Sequence, residues 1–167
     1  MFLKFTKAMD IVLKLITILI TVLLSIMTVV TVMEVMRRYL LGLSYPWAEE
    51  LVRFMLVWVT FVGGAAALRS GNLVILDAIL VKLSEKKRII LELFTNTVIL
   101  GFLVFLFFKG VEYAVSPVIL KQISPGLGIP MTVPYMAIPL GFALMILFSL
   151  EIYGNLILKL KMKKECL

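Results

Sequence analysis

An all-α integral membrane protein with four transmembrane helices is the fold class this sequence predicts, on three observations. Of its 167 residues 62% are hydrophobic and only 16% charged, against roughly half apolar and a quarter charged in soluble domains. Mean hydropathy is +1.12, so a water-soluble domain of this length would expose more apolar surface than solution tolerates. The apolar residues also form runs rather than stripes: 15–33, 54–68, 93–108 and 122–150 contain no charged side chain.

A bilayer core about 30 Å thick takes roughly 20 helical residues. The runs therefore predict spans over about 11–33, 49–68, 89–108 and 131–151, the two shorter runs borrowing a turn from their charged flanks. The first run exceeds the roughly 7–15 residues of a signal-peptide core, and no A-x-A-like cleavage site follows it, so it reads as a retained helix. With no internal repeat, low-complexity tract or long linker, a single membrane domain over 1–167 is expected.

Orientation follows from the lysines and arginines. With a cytoplasmic N-terminus, twelve of the 17 fall inside: Lys4, Lys7, Lys14, Arg69, Lys82, Lys86, Lys87, Arg88, Lys159, Lys161, Lys163 and Lys164. Arg37, Arg38, Arg53, Lys109 and Lys121 fall outside. Both termini are expected in the cytoplasm. The net charge of +7 needs no nucleic-acid partner, because inside-facing lysines account for it and suit anionic membrane lipid.

In the first helix Thr17, Thr21, Ser25, Thr28 and Thr31 lie within an arc of about 120°. Small polar residues on one face favour close approach of another membrane helix; the competing reading is that they bond their own backbone. "EVMRRY" at 34–39 then adds an acid and two arginines.

The second helix opens on "SYPWAEELVRFMLVW", 44–58. Trp47, Glu50, Phe54, Trp58, Phe61 and Ala65 share one face at helical spacing. Glu49 and Glu50 precede Arg53 by four and three positions, both favourable for an ion pair, and acids in the first turn suit the helix dipole. Two readings stand: an interfacial cap with tryptophan at headgroup level, or charged groups that bond across to a partner chain. Further along, "GGAAA" at 63–67 is a smooth surface for helix packing.

The connection "RSGNLVILDAILVKLSEKKR", 69–88, spaces Asp77, Lys82 and Glu85 among apolar residues and is expected to lie along the inner interface as a short amphipathic helix. Ser84 resembles an N-cap for the third helix. In that helix Asn96, between Thr95 and Thr97, is the strongest polar group inside any span. The outer connection and the start of the fourth helix, "SPGLGIPMTVPYMAIPLGF", carry prolines at 125, 130, 134 and 139. The stretch up to Pro130 should be irregular and stiff; Pro134 and Pro139 demand a shaped, packed helix start.

Exclusions narrow the chemistry. With no histidine and a single cysteine, Cys166, histidine metal sites, histidine proton relays and intrachain disulfides are ruled out. No ionisable group falls near the middle of a predicted span, where coupled carriers place theirs. No nucleotide loop, nucleophile motif or metal-ligand cluster appears, so neither catalysis nor a cofactor is expected. A self-assembling four-helix carrier of the multidrug type is the rival reading, but it relies on a membrane-embedded acid in an early helix, and the first span has none between Lys14 and Glu34.

"RRYLLGLSYPWAEELVRFMLVWVTFVGGAAALRSGNLVILD", 37–77, resembles the signature of the small membrane subunit of tripartite ATP-independent periplasmic (TRAP) transporters, the DctQ type, through Arg38, Tyr39, Trp47, Glu49, Glu50, Arg53, Trp58, Phe61, Gly64, Arg69, Gly71 and Asp77. "LGIPMTVPYMAIPLGFALMIL", 127–147, is similar to the stretch that leads into the family's last helix. Asn72 departs from the pattern, standing where the family often has histidine; an amide can form a hydrogen bond in its place but cannot titrate.

The resemblance implies an inner-membrane protein without catalysis. Such a subunit scaffolds a large multi-helix subunit that holds the substrate and sodium sites, while a soluble periplasmic protein delivers an organic acid such as a C4-dicarboxylate or sialic acid. On this reading Arg37, Arg38, Trp47, Glu49, Glu50, Arg53, Trp58 and Arg69 form the structural or subunit-interface polar network, and Lys109, Glu112 and Lys121 face the binding protein.

Overall fold

The structure, a computed structural model, describes residues 2–71 and 85–165. The expected interfacial helix over most of 69–88, the Ser84 cap, Asn72 and Cys166 lie outside the described residues. The described chain forms α1 (Phe2–Leu41), α2 (Pro46–Arg69), α3 (Glu85–Ala114), α4 (Pro117–Lys121), α5 (Thr132–Tyr135) and α6 (Ala137–Glu165). Four of these are long and apolar enough to cross a membrane.

α1, α2 and α3 overrun their predicted spans at both ends, and α6 starts six residues late but overruns at its C-terminal end. α1 has 40 residues, about 60 Å at 1.5 Å per residue, twice the hydrocarbon thickness. A charge-free run marks where side chains match lipid; the backbone ladder continues as long as the charged flanks favour helix, as Lys, Glu and Arg do. α6 runs past Glu151 for the same reason, once that carboxylate is paired as described below.

The turn that ends α1 requires a glycine. Gly42 adopts φ 65° and its N–H donates to the Arg38 carbonyl, an αL cap in which a side chain would be strained. Pro46 then opens α2 in its first turn, where its missing N–H costs nothing. The fourth span starts likewise: Pro134 lies within the four-residue α5, and Pro139 is the third residue of α6, so it sits where no intrahelical donor is required. The kink is therefore resolved as a break between two helices rather than as a bend within one.

α2 and α6 pack together at the centre, α1 lies against α2, and α3 lies against α6. Met9 and Ile16 of α1, Val62 and Ala65 of α2 and Phe148 of α6 form the buried cluster, with Trp58 packed on it. The glycines permit this approach. Gly64 faces Met145, and a Cβ on Gly141 would lie 2.6 Å from the Phe61 Cβ and 3.0 Å from its carbonyl oxygen. "GGAAA" thus serves as the packing surface expected of it. The hydroxyl stripe of α1 does not pack against another described helix: Thr17, Thr21, Ser25 and Thr28 are exposed and each donates to the carbonyl four residues back at 2.8–2.9 Å.

Between α3 and α6 the Asn96 amide donates to the Ser149 carbonyl at 3.0 Å, and the Ser149 hydroxyl donates back to the Asn96 carbonyl oxygen at 2.9 Å. Both side chains are buried. Asn96→Ala should therefore lower stability by roughly 1 kcal/mol, in the range of hydrogen bonds between membrane helices, with Ser149→Ala costing less because one of the two bonds survives. Reversible unfolding in mixed micelles reads this difference, and an unchanged Asn96→Ala variant would show that the pair contributes no net stability.

Candidate functional site

Two polar clusters occupy opposite ends of α2. At its N-terminal end Glu34, buried near the end of α1, accepts the Ser44 hydroxyl at 2.6 Å and the Tyr45 N–H at 3.1 Å. A buried carboxylate is tolerable only when so satisfied, and here it caps the free N–H at the start of the second helix. The Arg37 guanidinium stacks over the Tyr45 ring, 3.4 Å from its centroid, and Tyr45 in turn meets Trp47 at 5.4 Å. Arg38 pairs loosely with Glu49 at 3.7 Å, joining α1 to α2.

Glu50 turns the other way. Its Oε2 accepts the N–H groups of Gly126 at 2.8 Å and Leu127 at 3.0 Å. These amides converge because the 122–131 loop folds on itself: Ser124 N–H donates to Ile129 O, Gly128 N–H to Ser124 O and Met131 N–H to Gln122 O. An antiparallel bridge joins Ile123 to Pro130. A Cβ on Gly126 would sit 2.6 Å from that same carboxylate oxygen, so glycine is what lets the acid reach the backbone. The stiff, irregular loop expected from the prolines is present, and Glu50 clamps it to α2.

This corrects the expected local ion pairs. Glu49 reaches Arg38 rather than Arg53, and Glu50 is held by loop amides; among the described residues Arg53 makes no ion pair within 4.0 Å. Two convergent amide donors at under 3.1 Å outcompete a flexible, exposed i,i+3 partner, which contributes only about 0.2–0.5 kcal/mol. Glu50→Ala should accordingly speed hydrogen exchange at the Gly126 and Leu127 amides, with Glu50→Gln intermediate because it keeps a neutral acceptor. Equal exchange in all three proteins would rule out the clamp.

The eight residues expected to form one network divide. Arg37, Arg38, Trp47, Glu49 and Glu50 gather at the loop end, with Arg53 exposed one turn away, whereas Trp58 packs on the core. Arg69 lies at the far end of α2. There its Nε donates to Glu151 Oε2 of α6 at 2.7 Å, one terminal nitrogen donates to Glu151 Oε1 at 2.9 Å, and the same nitrogen reaches Asp10 of α1 at 2.7 Å. One guanidinium clasps three helices. Its fork matches the carboxylate bidentately, and the side chains of Arg69 and Glu151 are only 11% and 5% exposed, against 63% for Asp10.

Lys109 and Glu112 pair with each other at 2.7 Å on the exposed surface of α3, and Lys121 ends the short α4. Beside that pair Tyr113 packs edge-on against Tyr135 at 5.4 Å, tying α3 to the start of the fourth span. Among the described residues no group of three or more metal-ligating side chains forms.

Residues 27–158 match the family described as tripartite ATP-independent periplasmic transporters, DctQ component. The chain belongs to this family. Its fold and family make it a multi-pass protein of the bacterial inner membrane and a TRAP small permease component. It is 33% identical over 116 residues to the ectoine TRAP transporter small permease protein TeaB of Halomonas elongata, covering 67% of this chain and 58% of that protein. It is 31% identical over 114 residues to the C4-dicarboxylate TRAP transporter small permease protein DctQ of Rhodobacter capsulatus, covering 66% of this chain and 49% of that one. A third relative, the isethionate TRAP transporter permease protein DctMQ of Oleidesulfovibrio alaskensis, is 23% identical over 99 residues, 59% of this chain and 16% of the relative. The chain thus spans about half the length of the small permease proteins it matches.

In this DctQ-family chain the two stretches that carry the family likeness touch: Glu50 lies in the first, and Leu127, whose amide it binds, opens the second. Sequence reasoning gave Glu34 only as the acid of the 34–39 stretch, placed Glu151 at a helix end, and passed over Asp10 and Ser149. A signal existed for three of them. An acid bordering a membrane run needs a donor, and the nearest helix offered Tyr45 N–H to Glu34 and Arg69 to Asp10 and Glu151.

Proposed function

We propose that this chain is the small permease subunit of a sodium-coupled secondary transporter for organic acids of the C4-dicarboxylate or sialic acid class. It acts as one membrane domain that scaffolds a large transport subunit, with both termini cytoplasmic, and works with a periplasmic substrate-binding protein. The observation that carries this reading is the internal bonding of its most buried charges; among the described residues only the Arg37 Nε is buried without a hydrogen-bond partner, and its guanidinium stacks on Tyr45. Glu34, Glu151 and Arg69 are each bonded within the chain, and the buried Asn96 and Ser149 bond each other. A carrier needs polar groups free to exchange partners with its cargo; a scaffold needs them closed.

One further fact supports a larger partner: the segment of the DctMQ permease matched by this chain is 16% of that protein, so most of that permease corresponds to something else. Arg53, exposed and without an ion pair among the described residues, is the residue we assign to the partner subunit; Lys109, Glu112 and Lys121 we assign to the binding protein.

Co-purification with a large TRAP membrane subunit co-expressed with this chain tests the assignment. Arg53→Ala should lower recovery of the large subunit several-fold while leaving the melting temperature of the small chain unchanged. Full recovery would remove Arg53 from the interface, and altered substrate selectivity in an intact complex would refute the scaffold role.

A further inference from the structure

The loop end of the bundle holds a groove of about 300 Å³ between α1 and α2. Its lining is mostly apolar, Val30 and Val35 of α1 and Ala48 and Val52 of α2, with Thr31 and the already bonded Glu34 among them, and Arg38 and Glu49 stand at the loop end. The order along the groove is fixed by the helices. α1 climbs toward the loop and α2 descends from it, so Val30 and Val52 lie deep and Arg38 and Glu49 lie at the loop end, a separation of about 12 Å from Val30 to Arg38 at 1.5 Å per residue. Tyr45 and Trp47 stand beside this end, as aromatic side chains do at headgroup depth.

The rim charges differ from the other acids of this end. Glu34 is taken by Ser44 and Tyr45, and Glu50 by the Gly126 and Leu127 amides. Arg38 and Glu49 hold one another only at 3.7 Å, with side chains 62% and 56% exposed, beyond the roughly 2.7–2.9 Å of a charge-assisted hydrogen bond. Each keeps hydrogen-bonding capacity. A cation and an anion side by side above an apolar trough match an amphiphile whose head carries a phosphate and a primary ammonium next to each other.

The geometry points to a phosphatidylethanolamine site on this chain: phosphate on Arg38, ammonium on Glu49, and the upper acyl chain along Val30, Val35 and Val52. Phosphatidylglycerol lacks the ammonium, and phosphatidylcholine lacks the N–H donors that Glu49 would accept. The site is built entirely from this chain, so it stands independently of the transporter reading.

Native mass spectrometry of the full chain, released from micelles containing equal amounts of phosphatidylethanolamine, phosphatidylglycerol and phosphatidylcholine, tests the assignment. The chain should retain phosphatidylethanolamine about fivefold over each of the others, the preference that one or two partly exposed charge contacts supply. Arg38→Ala and Glu49→Gln should each erase it, and Arg88→Ala on α3, remote from the groove, should not. Arg38→Lys keeps the charge and the fold and should retain most of the preference; Val52→Trp keeps both charges, fills the trough and should abolish retention. Equal retention of all three lipids, or phosphatidylglycerol held better than phosphatidylethanolamine, would overturn the proposal. So would loss of the bound lipid when the large subunit is added, which would make the groove a seat for a partner helix.

Discussion

Replacing Arg69 with alanine should destabilise the bundle by about 3–5 kcal/mol, the cost of leaving one member of a buried ion pair without its partner. The orphan would be Glu151, whose side chain is 5% exposed and whose two oxygens both accept from Arg69. Asp10, on the exposed side of the same guanidinium, should matter much less: Asp10→Ala should cost under about 1 kcal/mol, as exposed pairs do. Arg69→Lys should fall between, since an ammonium cannot reproduce the bidentate fork. The diagnostic comparison is the double variant Arg69→Met/Glu151→Leu, expected to be more stable than Arg69→Ala alone because no charge is left buried. Unfolding in mixed micelles measures all four. If Arg69→Ala proved as mild as Asp10→Ala, the three-helix clasp would be an exposed contact of no structural weight.

Gly141→Leu should disrupt the central pair of helices. Even the first carbon of a side chain there would meet Phe61 Cβ at 2.6 Å and its backbone at 3.0 Å, and backbone cannot swing aside as a side-chain tip can. α2 and α6 would have to separate, costing about 1–3 kcal/mol or more by overpacking, and the Phe61 and Phe142 rings, now 5.5 Å apart edge to face, would lose their contact. Gly64→Ala should be milder, because the atom it meets is the flexible terminal methyl of Met145. Gly101→Leu is the control: nothing lies within 4 Å of its would-be Cβ, so its melting temperature should stay near that of the parent chain. If Gly141→Leu and Gly101→Leu melted together, close packing at α2 and α6 would not be what holds the centre.

The four spans were legible because lipid imposes a strong constraint: backbone groups must be satisfied within the helix, and about 20 residues must be apolar. Helix ends were not legible, since α1 and α6 continue as helix through charged residues where the apolar signal has stopped. The clusters divide the same way. Periodicity placed Glu49, Glu50 and Arg53 within reach of one another and so suggested local pairs, yet the observed partners of Glu50 and Arg69 lie 76 and 82 residues away in the chain. Spacing within one helix carries no information about such partners. Composition did bear on Asn96, a lone amide in an apolar run that had to find a donor and an acceptor; that both came from Ser149 depended on the register of α3 against α6. The hydroxyl stripe of α1 was legible as a stripe, but its use was not, because a threonine that bonds its own backbone and one that meets a neighbour look alike in sequence.

The most direct measurement of the proposed scaffold role is uptake of a labelled organic acid into proteoliposomes under a sodium gradient, with this chain alone, a large TRAP membrane subunit alone, and both together with a periplasmic binding protein. A chain whose buried carboxylates, among the described residues, are bonded internally should transport nothing by itself, and uptake should appear only when the parts are combined. Uptake by this chain alone would contradict that role and would mean that one of its closed polar clusters opens to bind cargo.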